Sequence, residues 1–215
     1  MRRLAIGAAL LGVVGAGLAL FGLTGARPGK YEEPAYSVLS EHEGFEVREY
    51  TGWVEARVTV NAPYRSAVSE GFRVLAGYIF GGNRQRAEIS MTSPVTAAQA
   101  QTIEMTTPVT ATGDGQRWTV SFRMPSEWTL DTLPVPEDDR IELVAVPSSI
   151  RAVRAFSGRA SQQRVEGEET ALRDALSRDG LARDGTLSVA QFDPPWVLGP
   201  WRRNEVQLPL PGPPG

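Results

Sequence analysis

The 215-residue sequence predicts an α+β domain, in which a curved or closed antiparallel sheet packs against two helices. Three observations predict this class. Short apolar segments between turn residues are typical of strands, and two longer segments have the apolar spacing of helices. The order strand, strand, helix, strand, strand then occurs twice, so we expect two halves of similar design.

The first half has its helix at Pro63–Ile79, because apolar residues recur there at i, i+4, i+8, i+11 and i+15. Gly81-Gly82 suits the end of this helix. Its apolar face is predicted to consist of Tyr64, Val68, Phe72, Leu75 and Ile79. The strands of this half are predicted at Phe45–Tyr50, Trp53–Val60, Ile89–Val95 and Ile103–Val109.

The second half has its helix at Gln162–Arg178, and Gly180 is suited to cap the end. The residues predicted on its inner face are Val165, Glu169, Leu172 and Leu176. The strands of this half are predicted at Ile141–Val146, Arg151–Phe156, Leu187–Phe192 and Glu205–Leu208. Trp118–Met124 is predicted as an additional strand between the halves.

The N-terminus is basic at Met1–Arg3, and Leu4–Leu23 follows without a charge. At 1.5 Å per residue this apolar segment spans about 30 Å, the thickness of a hydrocarbon core. Residues 1–26 are therefore predicted to be a transmembrane anchor or a cleaved signal peptide, with a buried helix as the alternative. The basic start is expected on the cytoplasmic side, so the rest of the chain would lie on the extracytoplasmic side of the cell membrane, or in the periplasm or medium after cleavage. Residues 27–35 are a predicted linker, residues 36–208 the folded domain, and residues 209–215 a disordered tail.

Composition excludes several classes of function. The net charge is −3 without a Lys/Arg-rich run, so nucleic acid is not an expected partner. The absence of cysteine excludes disulfides, thiolate metal sites and cysteine nucleophiles. A single histidine, His42, excludes multi-histidine metal sites. No pair of carboxylates stands out by its spacing, so no catalytic residue is predicted.

A phrase of the form I-x-M-T-x-P-V occurs twice, as "ISMTSPV" at Ile89–Val95 and "IEMTTPV" at Ile103–Val109. In a strand, alternate residues share a face, so Met91 and Met105 would each face with Ile and Val. Methionine fills irregular cores and also lines pockets for flat ligands. Both interpretations are open for these methionines, whereas a thioether metal site is disfavoured without histidine or cysteine beside it.

The ordered motifs resemble the SOUL haem-binding protein family. They begin with "EGFRVLAGYIFGGN" (Glu70–Asn83) and the repeated phrase, and continue with "LDTLPVP", "FDPPW" and "RRNEV", over Tyr36–Leu208. The resemblance implies a distorted antiparallel β-barrel of two pseudo-symmetric halves with two flanking helices. It also implies reversible binding of haem or related tetrapyrroles, for trafficking, buffering or sensing, and no catalysis.

The resemblance places the macrocycle in an apolar surface cleft near the first helix, with basic side chains on its propionates. A porphyrin is a flat apolar disc with two carboxylates on one edge, and arginine binds carboxylates through its planar pair of donors. The predicted binding residues are Arg73, Leu75, Tyr78, Ile79, Arg84, Met91 and Met105, with Arg86 as a further candidate. Each arginine has a surface charge as its alternative role, and each apolar residue has core packing.

His42 is the only candidate imidazole ligand for haem iron, and it is disfavoured. It is predicted in an exposed turn before the first strand, remote in sequence from the helix and the repeated phrase. The haem would then be held by its disc and propionates, and metal-free porphyrin would bind comparably. Three further hypotheses are open: a binder of other hydrophobic molecules, a tetrapyrrole-processing enzyme, and a peptide-binding domain that uses "DPPWVLGPW".

Overall fold

The computed structural model describes residues 31–85, 100–182, 184–193 and 197–211. The predicted anchor or signal segment and the first copy of the repeated phrase, with Met91, lie outside these ranges. Within them, no helix combines the length and the apolar character that crossing a membrane requires.

The described chain forms a nine-stranded antiparallel sheet, a two-stranded sheet and two α-helices. The helices are α1 (Tyr64–Ile79) and α2 (Gln162–Arg178), and a 3-10 turn covers Gly199–Trp201. The strands of the first part are β1 (Tyr36–His42), β2 (Phe45–Tyr50), β3 (Trp53–Asn61), β4 (Asn83–Arg84), β5 (Val109–Asp114) and β6 (Arg117–Arg123). They are followed by β7 (Val135–Pro136), β8 (Glu142–Val146), β9 (Ser149–Ser157), β10 (Ser188–Gln191) and β11 (Arg203–Pro209).

The order of the large sheet is β1-β2-β9-β11-β10-β5-β6-β3-β8. Apart from β1, this order is symmetric. Read from the other end, it is the same order once β2 is exchanged with β8, β3 with β9, β5 with β10 and β6 with β11. The first strand of each half pairs with the second strand of the other half: β2 with β9, and β8 with β3. The short turns after β2 and β8 therefore cross between the two ends of the sheet and close no hairpin. The α+β class is confirmed, and the sheet curls into a half-barrel.

The helices were well predicted, because their ends carry strong signals. α2 has the predicted bounds: Ser161 Oγ accepts from the Arg164 N–H at its start, and Gly180 adopts φ +68° at its end. α1 begins one residue later than predicted, after Pro63. β1, β4 and β7 were not predicted.

The predicted strand at Ile103–Val109 is wrong except for its last residue, where β5 begins. The backbone of this segment bonds to other partners. Ile103 N–H donates to the Ile79 carbonyl at 2.8 Å, and Thr107 N–H donates to the Glu32 carbonyl at 2.9 Å. The segment therefore crosses the end of α1 instead of pairing with a strand.

The buried face of α1 differs from the predicted one. Tyr64, Leu75 and Ile79 are buried as expected, but Val68 is half-buried and Phe72 is 37% exposed. The remaining buried positions are Ala67, Gly71 and Tyr78. Small residues face the sheet and let α1 approach it closely. A Cβ added to Gly71 would lie 2.5 Å from Val120 Cβ on β6.

The inner face of α2 also differs at one position from the prediction. Glu168, and not Glu169, is buried. Two cations make this burial possible: Arg154 Nε lies 2.7 Å from one carboxylate oxygen of Glu168, and Arg164 lies 2.8 Å from the other. The pairing of both oxygens offsets the loss of hydration.

Gly71→Ala is expected to lower the free energy of unfolding by up to about 2 kcal/mol, because overpacking costs about 1–3 kcal/mol and a better helix residue returns only about 1 kcal/mol. Gly77→Ala is the matched control, since a Cβ there would meet nothing within 4 Å. The control is expected to stabilise the protein by up to about 1 kcal/mol. Urea unfolding of both variants measures the difference, and equal stabilisation by both would contradict the close approach of α1.

Candidate functional site

The solvent side of α1 carries an apolar strip. Phe72 is 37% exposed and Phe80, at the C-terminal cap of the helix, is 62% exposed. They are eight positions apart, which corresponds to about 12 Å along a helix. Ala76 and Gly77 lie between them and project little, so the surface there is flat. We call these four residues the α1 strip.

Arginines border the α1 strip. Arg73 is exposed and follows Phe72 on the helix, and Arg84 is exposed on β4. β4 pairs with β7, where Arg84 is opposite Val135, itself 40% exposed. Within the described residues, neither arginine forms an ion pair. Arg73 is therefore available to an anionic group on the strip, and Arg84 to one beside β4 and β7.

Three predicted binding residues lie beneath this surface. Leu75, Tyr78 and Ile79 are 0–1% exposed and belong to the core. Tyr78 Oη donates to the Pro134 carbonyl at 2.9 Å, which fixes the ring in place. The structure thus brings Arg73 to the surface and holds these three residues under it. Direct ligand contact by the three stays a prediction.

Asn83 fixes the end of α1 to the neighbouring chain. Its Nδ2 donates to the Tyr78 and Gln101 carbonyls, both at 2.7 Å, and its Oδ1 accepts from the Gln101 N–H at 2.9 Å.

Met105, four residues after Gln101, is half-buried against the core. Because Met91 and Arg86 lie outside the described residues, the paired role of the two methionines stays a prediction.

His42 ends β1 and lies beside the C-terminus of α2, not in a turn before the first strand as predicted. Its Nδ1 lies 2.6 Å from Asp179 Oδ2, and its Nε2 lies 2.8 Å from Ser40 Oγ. The ring also stacks on Phe45, with centroids 4.4 Å apart. Both ring nitrogens are therefore engaged. The described residues contain no cluster of three His, Cys, Asp or Glu side chains suited to a metal.

The helix-free face of the sheet carries buried charges. Arg48 Nε lies 2.7 Å from Glu46 Oε2, and Arg48 Nη1 lies 3.0 Å from Glu205 Oε1. Burial, with the Glu205 charge, raises the pKa of the nearby Tyr50 to about 12. Tyr50 thus stays protonated at neutral pH, and its hydroxyl accepts a long hydrogen bond of 3.4 Å from Arg48.

Sequence reasoning missed Phe80, Ala76 and Gly77, and assigned Phe72 to the core. The available signal was the eight-residue spacing of two phenylalanines across small residues on one side of a helix. Large apolar residues at this spacing usually mark the face of a helix that packs on the core. The spacing of Phe72 and Phe80 alone therefore does not distinguish an exposed strip from a core-facing one.

The curled sheet of matching halves defines a class of α+β domain with two helices on one face. The C-terminal domain of EcmrR has this fold: it matches 82% of this chain and 98% of its own, with a TM-score of 0.56 at 10% sequence identity.

Within that class, the chain belongs to the SOUL heme-binding protein family, whose family model matches residues 31–209. Heme-binding protein 1 of Xenopus tropicalis and of Xenopus laevis are each 30% identical to it over 168 residues, which cover 75% of this chain and 81% of theirs.

His42→Ala is expected to leave the absorbance spectrum of haemin mixed with the full chain unchanged, because both nitrogens of this imidazole already have partners. The Soret band reports axial ligation, so wild type and variant are compared at equal haemin saturation. A variant spectrum that returns to that of free haemin would contradict the assignment of His42 to a structural role.

Proposed function

We propose that this protein binds haem or a related tetrapyrrole non-covalently on the α1 strip. The strip itself carries the proposal: two exposed phenylalanines flank a flat surface of small residues, with Arg73 alongside. A flat apolar disc with carboxylates on one edge matches this arrangement. Membership of a family described as heme-binding supports the choice of ligand.

Burial of the disc dominates the expected affinity. An apolar contact of a few hundred Å² contributes about 5–10 kcal/mol at about 25 cal/mol per Å². An exposed arginine–carboxylate pair adds at most about 1 kcal/mol. Association costs at least about 4 kcal/mol, so a modest affinity follows, and the phenylalanines matter more than the cations.

Recognition of the disc and its carboxylates does not involve the iron. Metal-free protoporphyrin is then expected to bind about as well as haemin. This distinguishes the proposal from axial ligation, which requires a metal.

The proposed role is trafficking, buffering or sensing of the tetrapyrrole, without catalysis. The uncharged Leu4–Leu23 segment supports a location at the cell membrane with the domain on the extracytoplasmic side, or release there after cleavage. The N-terminal segment would then be the contact with the membrane, and the tetrapyrrole the small-molecule partner.

Phe80→Ser is expected to weaken haemin binding to the full chain about tenfold, because the serine removes an apolar contact worth about 1–2 kcal/mol. Arg73→Gln and Arg84→Gln are each expected to weaken it about threefold. The measurement is a titration with haemin and, separately, with metal-free protoporphyrin, followed by absorbance and tryptophan fluorescence.

Two variants serve as matched controls for this titration. Leu39→Ser removes a 50% exposed apolar side chain on β1, and Arg65→Gln removes an exposed cation on α1 two turns before Arg73. Both are expected to bind as wild type does. Equal losses in Leu39→Ser and Phe80→Ser would overturn the location of the site. If the wild-type chain bound neither haemin nor metal-free protoporphyrin, the proposed function would be overturned.

A further inference from the structure

The helix-free face of the half-barrel encloses a cleft of about 400 Å³, which lies in the size range of small-molecule sites. Hydroxyl groups form much of its lining, from Thr110, Thr112, Thr119, Ser121 and Ser188. Val120 of β6 lies between two of these residues in sequence and faces Gly71 of α1. Because successive strand residues face opposite sides, the cleft and α1 lie on opposite faces of the sheet.

Two arginine side chains of the cleft surround one aromatic ring. The guanidinium carbon of Arg123 lies 4.2 Å from the centre of the Trp53 ring, and that of Arg151 lies 5.7 Å from it. Both are within the range of cation–π attraction. Burial lowers the pKa of Arg123 to about 10, with the Arg151 charge acting in the same direction, and burial also lowers the pKa of Arg151. Both side chains remain charged at neutral pH.

Neither cation is neutralised by an ion pair within the described residues. The hydrogen bonds of Arg151 go to neutral oxygens, Ser149 Oγ at 3.3 Å, Ser188 Oγ at 3.4 Å and Gln207 Oε1 at 3.5 Å. Glu55 lines the same cleft and is opposite Arg123 in the register of β3 and β6, but it forms no ion-pair contact with either arginine, and its Oε2 accepts from Trp53 Nε1 at 3.2 Å.

Two other arginines on this face of the sheet are neutralised. Arg48 pairs with Glu46 and Glu205. Arg57, which also lines the cleft, donates from Nε and Nη2 to Glu142 Oε2 at 3.0 and 2.9 Å. Arg123 and Arg151 differ in this respect from Arg48 and Arg57, whose guanidinium groups contact carboxylates.

We propose that this cleft is a second ligand site, in which Arg123 and Arg151 bind the carboxylate of a small organic acid with a flat apolar body. Two like charges held half-buried in one cleft, with no carboxylate of the described residues in ion-pair contact, are costly, and a bound anion lowers that cost. The guanidinium group matches a carboxylate through two parallel hydrogen bonds. Trp53 and three lining prolines, Pro34, Pro108 and Pro209, supply apolar contacts for the body of the ligand.

The test is a calorimetric titration of the full chain with 2-naphthoate and with the neutral analogue 2-naphthalenemethanol. We expect saturable binding of naphthoate and at least about tenfold weaker binding of the alcohol, because only the acid pairs with the guanidinium groups. Arg123→Gln and Arg151→Gln are each expected to weaken naphthoate binding about tenfold. The thermal midpoint of each variant is measured as well, so that a loss of affinity is distinguished from a loss of folding.

Arg57→Gln is the matched control, because it lines the same cleft and its charge is already neutralised by Glu142. We expect it to change naphthoate affinity less than about threefold. If a glutamine variant does not fold, Trp53→Leu removes the ring shared by both cations and is expected to weaken naphthoate binding as well.

Three results would overturn the proposal: no saturable naphthoate binding by the wild-type chain, equal binding of the neutral alcohol, or unchanged affinity in both Arg123→Gln and Arg151→Gln. The proposal does not rest on tetrapyrrole binding at the α1 strip. Loss of haemin binding in Arg123→Gln but not in Arg73→Gln would show that the cleft is the tetrapyrrole site, which overturns a separate second site.

Discussion

The exchange of strands between the two halves is the constraint on which the rest of the structure depends. Because β2 pairs with β9 and β8 pairs with β3, neither half completes its sheet without the other. The exchange leaves a curled sheet with both helices on one face. The other face must bury polar groups, and the Arg48–Glu205 pair at 3.0 Å shows how it does so. Loss of one partner of such a buried pair costs about 3–5 kcal/mol.

The packing of α1 connects this architecture to the proposed tetrapyrrole site. Gly71 lies against Val120, so the helix turns its small residues towards the sheet. Phe72, the next residue, is thereby placed at the edge of the helix–sheet contact, where its ring packs edge-on against Phe122 of β6 with centroids 5.4 Å apart and remains 37% exposed. The apolar surface on α1 is therefore a consequence of close helix–sheet contact, and Phe80 two turns later extends it.

Local signals in the sequence predicted much of the fold. The bounds of α2 follow from the Ser161 cap and Gly180, and the strands follow from alternation. Strand exchange was not predictable, because pairing depends on residues far apart in the chain. The cations of the cleft were missed for a similar reason: Arg123 and Arg151 are isolated residues in different strands, and only the curled sheet brings both beside Trp53. Of the predicted tetrapyrrole-binding residues, Arg73 and Arg84 are at the surface, whereas Leu75 lies in the core.

The proposed tetrapyrrole site lies on the solvent side of α1. Amide hydrogen exchange of the full chain, with and without haemin, tests it most directly because it reports protection along the whole backbone. Binding at the α1 strip predicts slower exchange confined to residues 69–84 and their immediate neighbours when haemin is present. Protection centred on β6 and β9, around Arg123 and Arg151, with none on α1, would contradict it.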